Sequence, residues 1–435
     1  MGESKKSVES KRVSGDPFLL REPVNTPQSL PARNFRFHFI EGSLYLASFA
    51  LINVQVVFPA LVIKLGGGNI AVGTLPVLYY LLYFLPQVLA ANYAGRSPYR
   101  RSWVLSAGLA QRIQILVLGL IVLLGKDFPS VVLVLFFISF GANQIIAGLS
   151  SPQWFDYLAK TTLPHQRGRL MGLRSSVGAL MGFANGAILT MFLAYFPFPW
   201  DYGATFFVAF LYQLASWIVL RKVSGEPPSE IVPPLPFTSF FGRISDLMRS
   251  DRRFRLFLIA SALSVIGLMP AGFFTVAALK RFSLPDSFIG FFTMTFLAAQ
   301  VLFGGFLGWI ADRKGHKSTL LICSAAMLAA SVMALLAQNP GWFFAVFALV
   351  GMLMGMEMIT RYNFAGECAT EQNRPLYIGI MNAWLAPFYL SSLLGGWVSD
   401  RAGYETVFAA GGVFSLAGFL ILARISDPSK KLQPD

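Results

Sequence analysis

The sequence predicts an all-α integral membrane protein with twelve transmembrane helices, arranged as two six-helix bundles in a pseudo-two-fold parallel repeat. Three observations lead there. Charged residues make up 13% of the 435-residue chain, against roughly 25% in an ordinary soluble domain, and so few charges cannot cover a protein of this size in water. The apolar runs persist for about twenty residues, the length a helix needs to cross about 30 Å of hydrocarbon. Basic residues are abundant in alternate loops and scarce in the others, the asymmetry that fixes the orientation of membrane proteins.

Taken in chain order, residues 1–37 are polar and basic, with Lys5, Lys6, Lys11 and Arg12 in a Ser/Pro-rich stretch. No short apolar core followed by a small-residue cleavage site occurs there, so the expectation is a cytoplasmic tail, with the first span doubling as the targeting signal. Apolar segments follow at about 40–62, 71–93, 102–124, 130–153, 170–195 and 203–220, the N-terminal bundle of 38–220. Residues 221–253 form a cytoplasmic linker carrying Pro227-Pro228 and Pro233-Pro234. Its stretch from Phe237 to Met248 places Phe240, Phe241, Ile244, Leu247 and Met248 at helical spacing. That stretch reads either as a helix lying flat on the inner leaflet or as a plain connector. The C-terminal bundle, 254–425, holds segments at about 254–279, 287–310, 318–337, 341–366, 376–398 and 405–423, and 426–435 is a second cytoplasmic tail. Because backbone in lipid must satisfy its own hydrogen bonds, each segment is a helix; barrel strands would be shorter and half-polar.

With both termini inside, the translocated loops hold five basic residues, Lys64, Lys126, Lys280, Arg281 and Arg401. Only Arg112 and Arg361 fall within spans, which leaves 28 of the 35 Lys and Arg on the cytoplasmic side. The formal charge of +14 is thus a matter of membrane anchoring rather than of nucleic-acid binding, since the basic residues form neither a stripe nor a helix face. Cys323 and Cys368 lie in or beside apolar segments and read as buried thiols, with no disulfide framework or zinc site and no cofactor expected.

The two halves repeat. Gly73 opens the second span and Gly95-Arg96 follows 22 residues later; Gly290 opens the eighth and Asp312-Arg313 follows at the same interval, a displacement of 217 residues. A second match, at 207, sets Arg167-Gly168 and Gly172 against Arg374-Pro375 and Gly379. Parallel six-span repeats suit transport, because rocking one bundle against the other exposes a site between them. On these residues the chain resembles the major facilitator superfamily. The run from Gly308 through Asp312, Arg313, Gly315 and Lys317 is similar to that family's signature loop between the eighth and ninth spans. The resemblance, covering about 38–425, implies a cytoplasmic latch that helps hold an outward-facing state through its acidic residue. It also implies a central cavity lined by the first, fourth, seventh and tenth spans. In the first-half copy Gly95 stands where the acid is expected, so Arg96 is left to contact lipid phosphate or a helix end.

An ionised group in hydrocarbon costs at least a few kcal/mol, which makes the polar residues within the spans functional candidates. Glu357 precedes Arg361 by one helical turn, so the two are read either as a proton-coupling site or as a neutralised pair. Candidates for the substrate cavity are Asn53, Gln55, Asn143, Gln144, Arg112, Gln300, Asn363 and Trp384; Asn53 and Gln55, two apart, cannot both point at one spot on a regular helix. The cytoplasmic gate candidates are Asp312, Arg313, Lys317, Arg96, Asp156, Arg167 and Arg374. Gly172, Gly178, Gly182 and Gly186, and Gly304, Gly305 and Gly308, form two surfaces on which helices approach and slide.

No nucleotide-binding loop is present, and the three histidines lie at span ends or in loops, so neither an ATPase nor a membrane enzyme is expected. The expected activity is secondary transport of a small organic, modestly polar or amphipathic solute by alternating access, with proton-coupled export through Glu357 as the most testable form. An ion-independent facilitator and a lipid flippase or scramblase are the alternatives. Protons, membrane lipids and a small organic or lipid-like solute are the expected partners of a functional monomer in a bacterial inner membrane.

Overall fold

The computed structural model describes residues 29–94, 97–229, 231, 251–369 and 373–426. The N-terminal tail before Ser29, the amphipathic stretch of the linker and Arg96 lie outside the described residues. Among those described, all regular structure is helical. Ten helical stretches are long and apolar enough to cross a membrane, and twelve crossings result for two reasons. The first span is interrupted, Ser29–Ser48 and Val57–Lys64 being separate helices. The stretch Tyr377–Arg424, 48 residues long, is more than twice the length that spans about 30 Å. It turns back at Gly403, whose φ of 82° lies in the left-handed region open to glycine.

The second to sixth spans are Asn69–Ala94, Arg101–Leu123, Pro129–Thr161, Arg167–Tyr195 and Trp200–Leu220. The seventh joins Arg252–Gly267 to Phe273–Arg281 through a 3₁₀ turn at Met269–Gly272. The eighth to tenth are Phe288–Lys314, His316–Leu336 and Gly341–Cys368. The eleventh runs from Arg374–Leu385 through a 3₁₀ turn at Ala386–Leu390 into Ser391–Arg424, which continues past Gly403 as the twelfth. Large apolar side chains such as Leu180 (68% exposed) and Leu302 (72%) face outward, the surface that lipid covers. The end of the molecule carrying the Arg/Lys-rich loops is called the basic end below, and the other the far end.

The first helix begins at Ser29, well before the expected bundle boundary at 38. Hydropathy misses these turns because they dock on protein instead of lipid: Asn34 Nδ2 donates to the carbonyls of Thr161 (3.2 Å) and Ser224 (2.8 Å). The seventh span likewise starts at Arg252, where the Asp251 carboxylate accepts the Phe254 N–H at 2.9 Å as an N-cap. Glu226, just after the sixth span, accepts the N–H groups of Arg100 and Arg101 at 2.6 and 3.0 Å. It thereby satisfies two of the free donors at the start of the third span.

Spans one to six pack among themselves, as do seven to twelve; the halves meet where the fifth packs on the eighth and the second on the eleventh. The repeat glycines sit at both seams. A Cβ on Gly73 would lie 2.9 Å from the Ser392 carbonyl carbon, and one on Gly290 would lie 2.6 Å from the Thr190 nitrogen. Neither seam can close this far with a larger residue.

Candidate functional site

Three interrupted helices converge between the halves. In the first span the chain leaves helical geometry after Ser48, and Asn53 stabilises the break: its Oδ1 accepts the N–H groups of Gln55 (2.9 Å) and Val56 (3.0 Å). The breaks in the seventh span at Met269–Gly272 and in the eleventh at Ala386–Leu390 lie opposite. Together with the second and tenth spans they line a narrow cavity between the halves. Its wall is Val54, Pro76, Val265, Leu268, Met269, Ala271 and Met354, with Gln55, Tyr80, Tyr389, Ser391 and Ser392 as the polar groups. Among the described residues, no charged side chain lines it. The rings of Tyr80 and Tyr389 stack across the two halves with centroids 4.0 Å apart. Broken spans at mid-membrane are where transporter folds build solute sites, since irregular backbone is tolerated only where it lines a cavity.

At the far end the cavity is sealed. Lys64 of the first span pairs with Asp286 before the eighth and with Asp201 of the sixth, the latter at 3.3 Å. Asn69 donates to Asp400 at 2.8 Å and accepts from the Tyr404 hydroxyl at 2.8 Å, and the Ser392 hydroxyl reaches the Gly73 carbonyl at 2.7 Å. The seam between the fifth and eighth spans is tight in the same direction: a Cβ on Gly186 would collide with the Met294 side chain. Toward the basic end, a Cβ on Gly172, Gly304 or Gly305 would meet nothing within 4 Å.

Glu357 and Arg361 form an ion pair one turn apart, 12% and 6% exposed. They line a small pocket inside the C-terminal half with Ser261, Ser264, Cys323 and Ser324, and Tyr80 and Tyr389 are electrostatic neighbours of Arg361. The pair therefore stands behind the tyrosine wall of the central cavity rather than in its lining. Gln55 lines that cavity, whereas Asn53 shapes it by holding the break. Asn143 Nδ2 donates to the Gln111 carbonyl at 2.9 Å, a bond between the fourth and third spans, and Gln144 donates to Asn143 Oδ1 within the fourth. Gln300 packs against Gly355. Trp384 is 36% exposed and lies against Phe388. Arg112, 3% exposed, is satisfied by the Gln213 and Gly108 carbonyls at 2.8 Å and the Ser216 hydroxyl at 3.2 Å; carbonyls serve where an anionic ligand was an option.

At the basic end the gate candidates separate into two groups. Asp156 bridges Arg100 (2.8 Å) and Lys160 (3.4 Å), while Arg167 donates to the Ala159 carbonyl at 2.5 Å and closes the end of the fourth span. In the signature loop Asp312 is exposed and takes part in no ion pair among the described residues. Arg313 stacks on Trp309 at 4.5 Å, and Lys317 donates to the Ala423 carbonyl at 2.9 Å. Arg374 is exposed beside Gly366. Asn363 lies 3.0 Å from His316 Nε2, and His316 Nδ1 lies 2.6 Å from Glu367. With the amide donating to Nε2, Nδ1 carries the proton toward the carboxylate.

Sequence reasoning missed a second buried charged group. Glu41, 2% exposed, lies 3.5 Å from Arg174. Arg174 stacks on Trp154 at 4.7 Å and is laid across Gly42, where a Cβ would collide with it. His38, 0% exposed, reaches the Thr161 hydroxyl at 2.9 Å. Glu41 looks interfacial when the span is started at 40; it is twelve residues into the helix that begins at Ser29.

Two six-span halves around a central cavity closed at the far end define a polytopic membrane protein built like a transporter. The chain is an integral membrane protein with the major facilitator fold, and residues 272–435 match the family model described as Major Facilitator Superfamily. The structure resembles that of the nucleoside transporter NupG (TM-score 0.70, 10% identity, 91% of this chain and 99% of that one). It also resembles a POT family transporter (0.70, 12%, 92% and 97%) and a D-xylose-proton symporter (0.66, 15%, 93% and 100%). In sequence it is 30% identical over 144 residues to a lysophospholipid transporter, LplT, of Salmonella heidelberg (strain SL476). That match spans 33% of this chain and 35% of the relative's length. These relatives are transporters by name, and among the described residues no cluster of His, Cys, Asp and Glu is arranged to hold a metal.

Proposed function

We propose that the protein is a secondary transporter that moves an amphipathic organic solute across a bacterial inner membrane by alternating access. The carrying observation is the asymmetry of the contacts between halves. The Lys64, Asn69, Ser392 and Gly290 contacts close the far end above the central cavity, while glycines toward the basic end of the fifth and eighth spans are apart from any partner. With the basic end in the cytoplasm, as the loop charges require, this is an inward-facing state. The unpaired Asp312 fits that state, since the latch it belongs to is expected to engage when the cytoplasmic side closes.

The wall chemistry supports the solute class. An apolar cavity with hydroxyls and one amide, and no charge to neutralise an ion, favours a molecule with a large apolar part and a modest polar head. The partial similarity to a lysophospholipid transporter makes a lipid-like solute the first to test. Glu357, beside Arg361 and behind Tyr80 and Tyr389, is the acid through which a proton gradient acts: protonation frees Arg361 to pull on the tyrosine wall. Transport into or out of liposomes with and without an imposed proton gradient tests this, comparing wild type, Glu357→Gln and the Glu357→Gln/Arg361→Gln pair. The gradient should accelerate only the wild type. An identical gradient response in all three proteins would remove Glu357 from the mechanism, and no movement of any amphiphile would remove the solute class.

A further inference from the structure

A second cavity opens at the far end between the seventh, tenth and twelfth spans. Its floor is apolar, with Phe343 and Phe408 0% and 1% exposed. Its rim carries Lys280, Arg281 and Glu405, all exposed. Positive charge is disfavoured on this side of a membrane protein; of the other far-end cations, Lys64 is held by Asp201 and Asp286 and Arg401 stacks on Trp397 at 4.1 Å, while Lys126 is exposed. Lys280 and Arg281 take part in no ion pair among the described residues. Lys280 Nζ faces the Tyr404 ring at 5.8 Å, and Arg281 donates one bond, at 3.3 Å, to the Ala334 carbonyl. Two adjacent cations thus overhang an apolar cavity with most of their donors unused.

We propose that this cavity binds the phosphate of a phospholipid headgroup from the far leaflet. Two cations side by side match a phosphate group, and phospholipid is the phosphate source present at this depth. The apolar floor suits the glycerol backbone, which free phosphate lacks. Leu336, two residues from the carbonyl that Arg281 touches, is 59% exposed and offers an acyl chain an apolar path. Occupancy also bears on the gate. Tyr404, whose ring walls the site, donates to Asn69 across the two halves, so a bound headgroup braces the closed far end.

The test is native mass spectrometry of the full chain in detergent, titrated with dioleoylphosphatidylglycerol, with dioleoylglycerol as the phosphate-free lipid and with inorganic phosphate. Lys280→Gln/Arg281→Gln should weaken phosphatidylglycerol retention by on the order of tenfold, with dioleoylglycerol retained equally by both proteins and inorganic phosphate failing to compete. Lys126→Gln/Arg401→Gln removes the same charge elsewhere on this face and should retain the lipid like wild type. Equal phosphatidylglycerol retention by wild type and Lys280→Gln/Arg281→Gln overturns the proposal, as does equal loss in the control pair or displacement by inorganic phosphate.

Discussion

Placing one methyl group at two points on the eighth span should push the protein in opposite directions. In Gly290→Ala the new Cβ would lie 2.6 Å from the Thr190 nitrogen and 2.8 Å from the Gly186 oxygen, where ordinary contact begins at 3.4 Å. The nearer Thr190 hydroxyl can turn away but these two backbone atoms cannot, so the fifth and eighth spans must part by about 0.8 Å at the Thr190 nitrogen. Overpacking of this kind costs about 1–3 kcal/mol, and the cost falls only on the state whose far-end seam is closed. The equilibrium should therefore move toward the outward-facing state by roughly 5- to 150-fold. The opposite case follows from the helix register. Gly186 lies against Gly290 and Gly182 against Leu297, and continuing that antiparallel register sets Gly172 opposite Gly304 and Gly305. In the present state a Cβ on either eighth-span glycine meets nothing within 4 Å. Gly304→Ala and Gly305→Ala should hence cost nothing here, and should hinder the closure that brings them onto Gly172.

The assay is a distance distribution between spin labels at Tyr195→Cys and Gln338→Cys, both exposed far-end positions in different halves, in a Cys323→Ala/Cys368→Ala background. Gly290→Ala should enrich the long-distance population, and Gly304→Ala or Gly305→Ala should deplete it. Should all three substitutions move the distribution the same way, or should Gly290→Ala leave it unchanged, the seam reasoning is refuted.

Three further outcomes follow from the same contacts. Lys64→Gln should shift the same label distance toward the open far end by about fivefold, the effect of roughly 1 kcal/mol from a part-exposed ion pair. Glu357→Gln leaves Arg361, 5% exposed, without its acid, which should cost about 3–5 kcal/mol and lower the melting temperature in detergent. Adding Arg361→Gln should recover most of that loss, and equal melting of the single and double variants would count against a pair in the interior. Asn53→Ala removes the acceptor of two N–H groups at the first-span break, so a loss of about 1–2 kcal/mol with weakened solute binding is expected, whereas Asn53→Asp should retain both.

The twelve crossings were legible because hydrocarbon makes one simple demand, a long apolar helix, and the loop charges echo it. Positions that answer to protein instead of lipid were not. The turns from Ser29 to His38 dock on the ends of the fourth and sixth spans through Asn34, and their polar sequence resembles a tail. Once that boundary was misplaced, Glu41 seemed to lie at the interface and its pairing with Arg174 could not be seen. The helix breaks were hidden for a related reason. Met269–Gly272 and Ala386–Leu390 each contain a proline, Pro270 and Pro387, but proline also sits inside the unbroken second span at Pro76. Proline alone therefore does not distinguish a break from a tolerated residue.

Internal repetition carried more of the site than any single motif did. The displacement of 217, read from two glycines, links the two seams at Gly73 and Gly290. Applied to Asn53 it reaches Pro270, so the breaks in the first and seventh spans are also related by the repeat, and the central cavity lies between two copies of one irregularity. Applied to Lys64 it reaches Arg281. One half uses its terminal cation to close the far end on Asp201 and Asp286. The other leaves its cation exposed over the second cavity. Where two copies of one plan share a position but differ in partner, the difference marks a place at which the halves have different tasks, and here that difference separates the gate from the proposed lipid site.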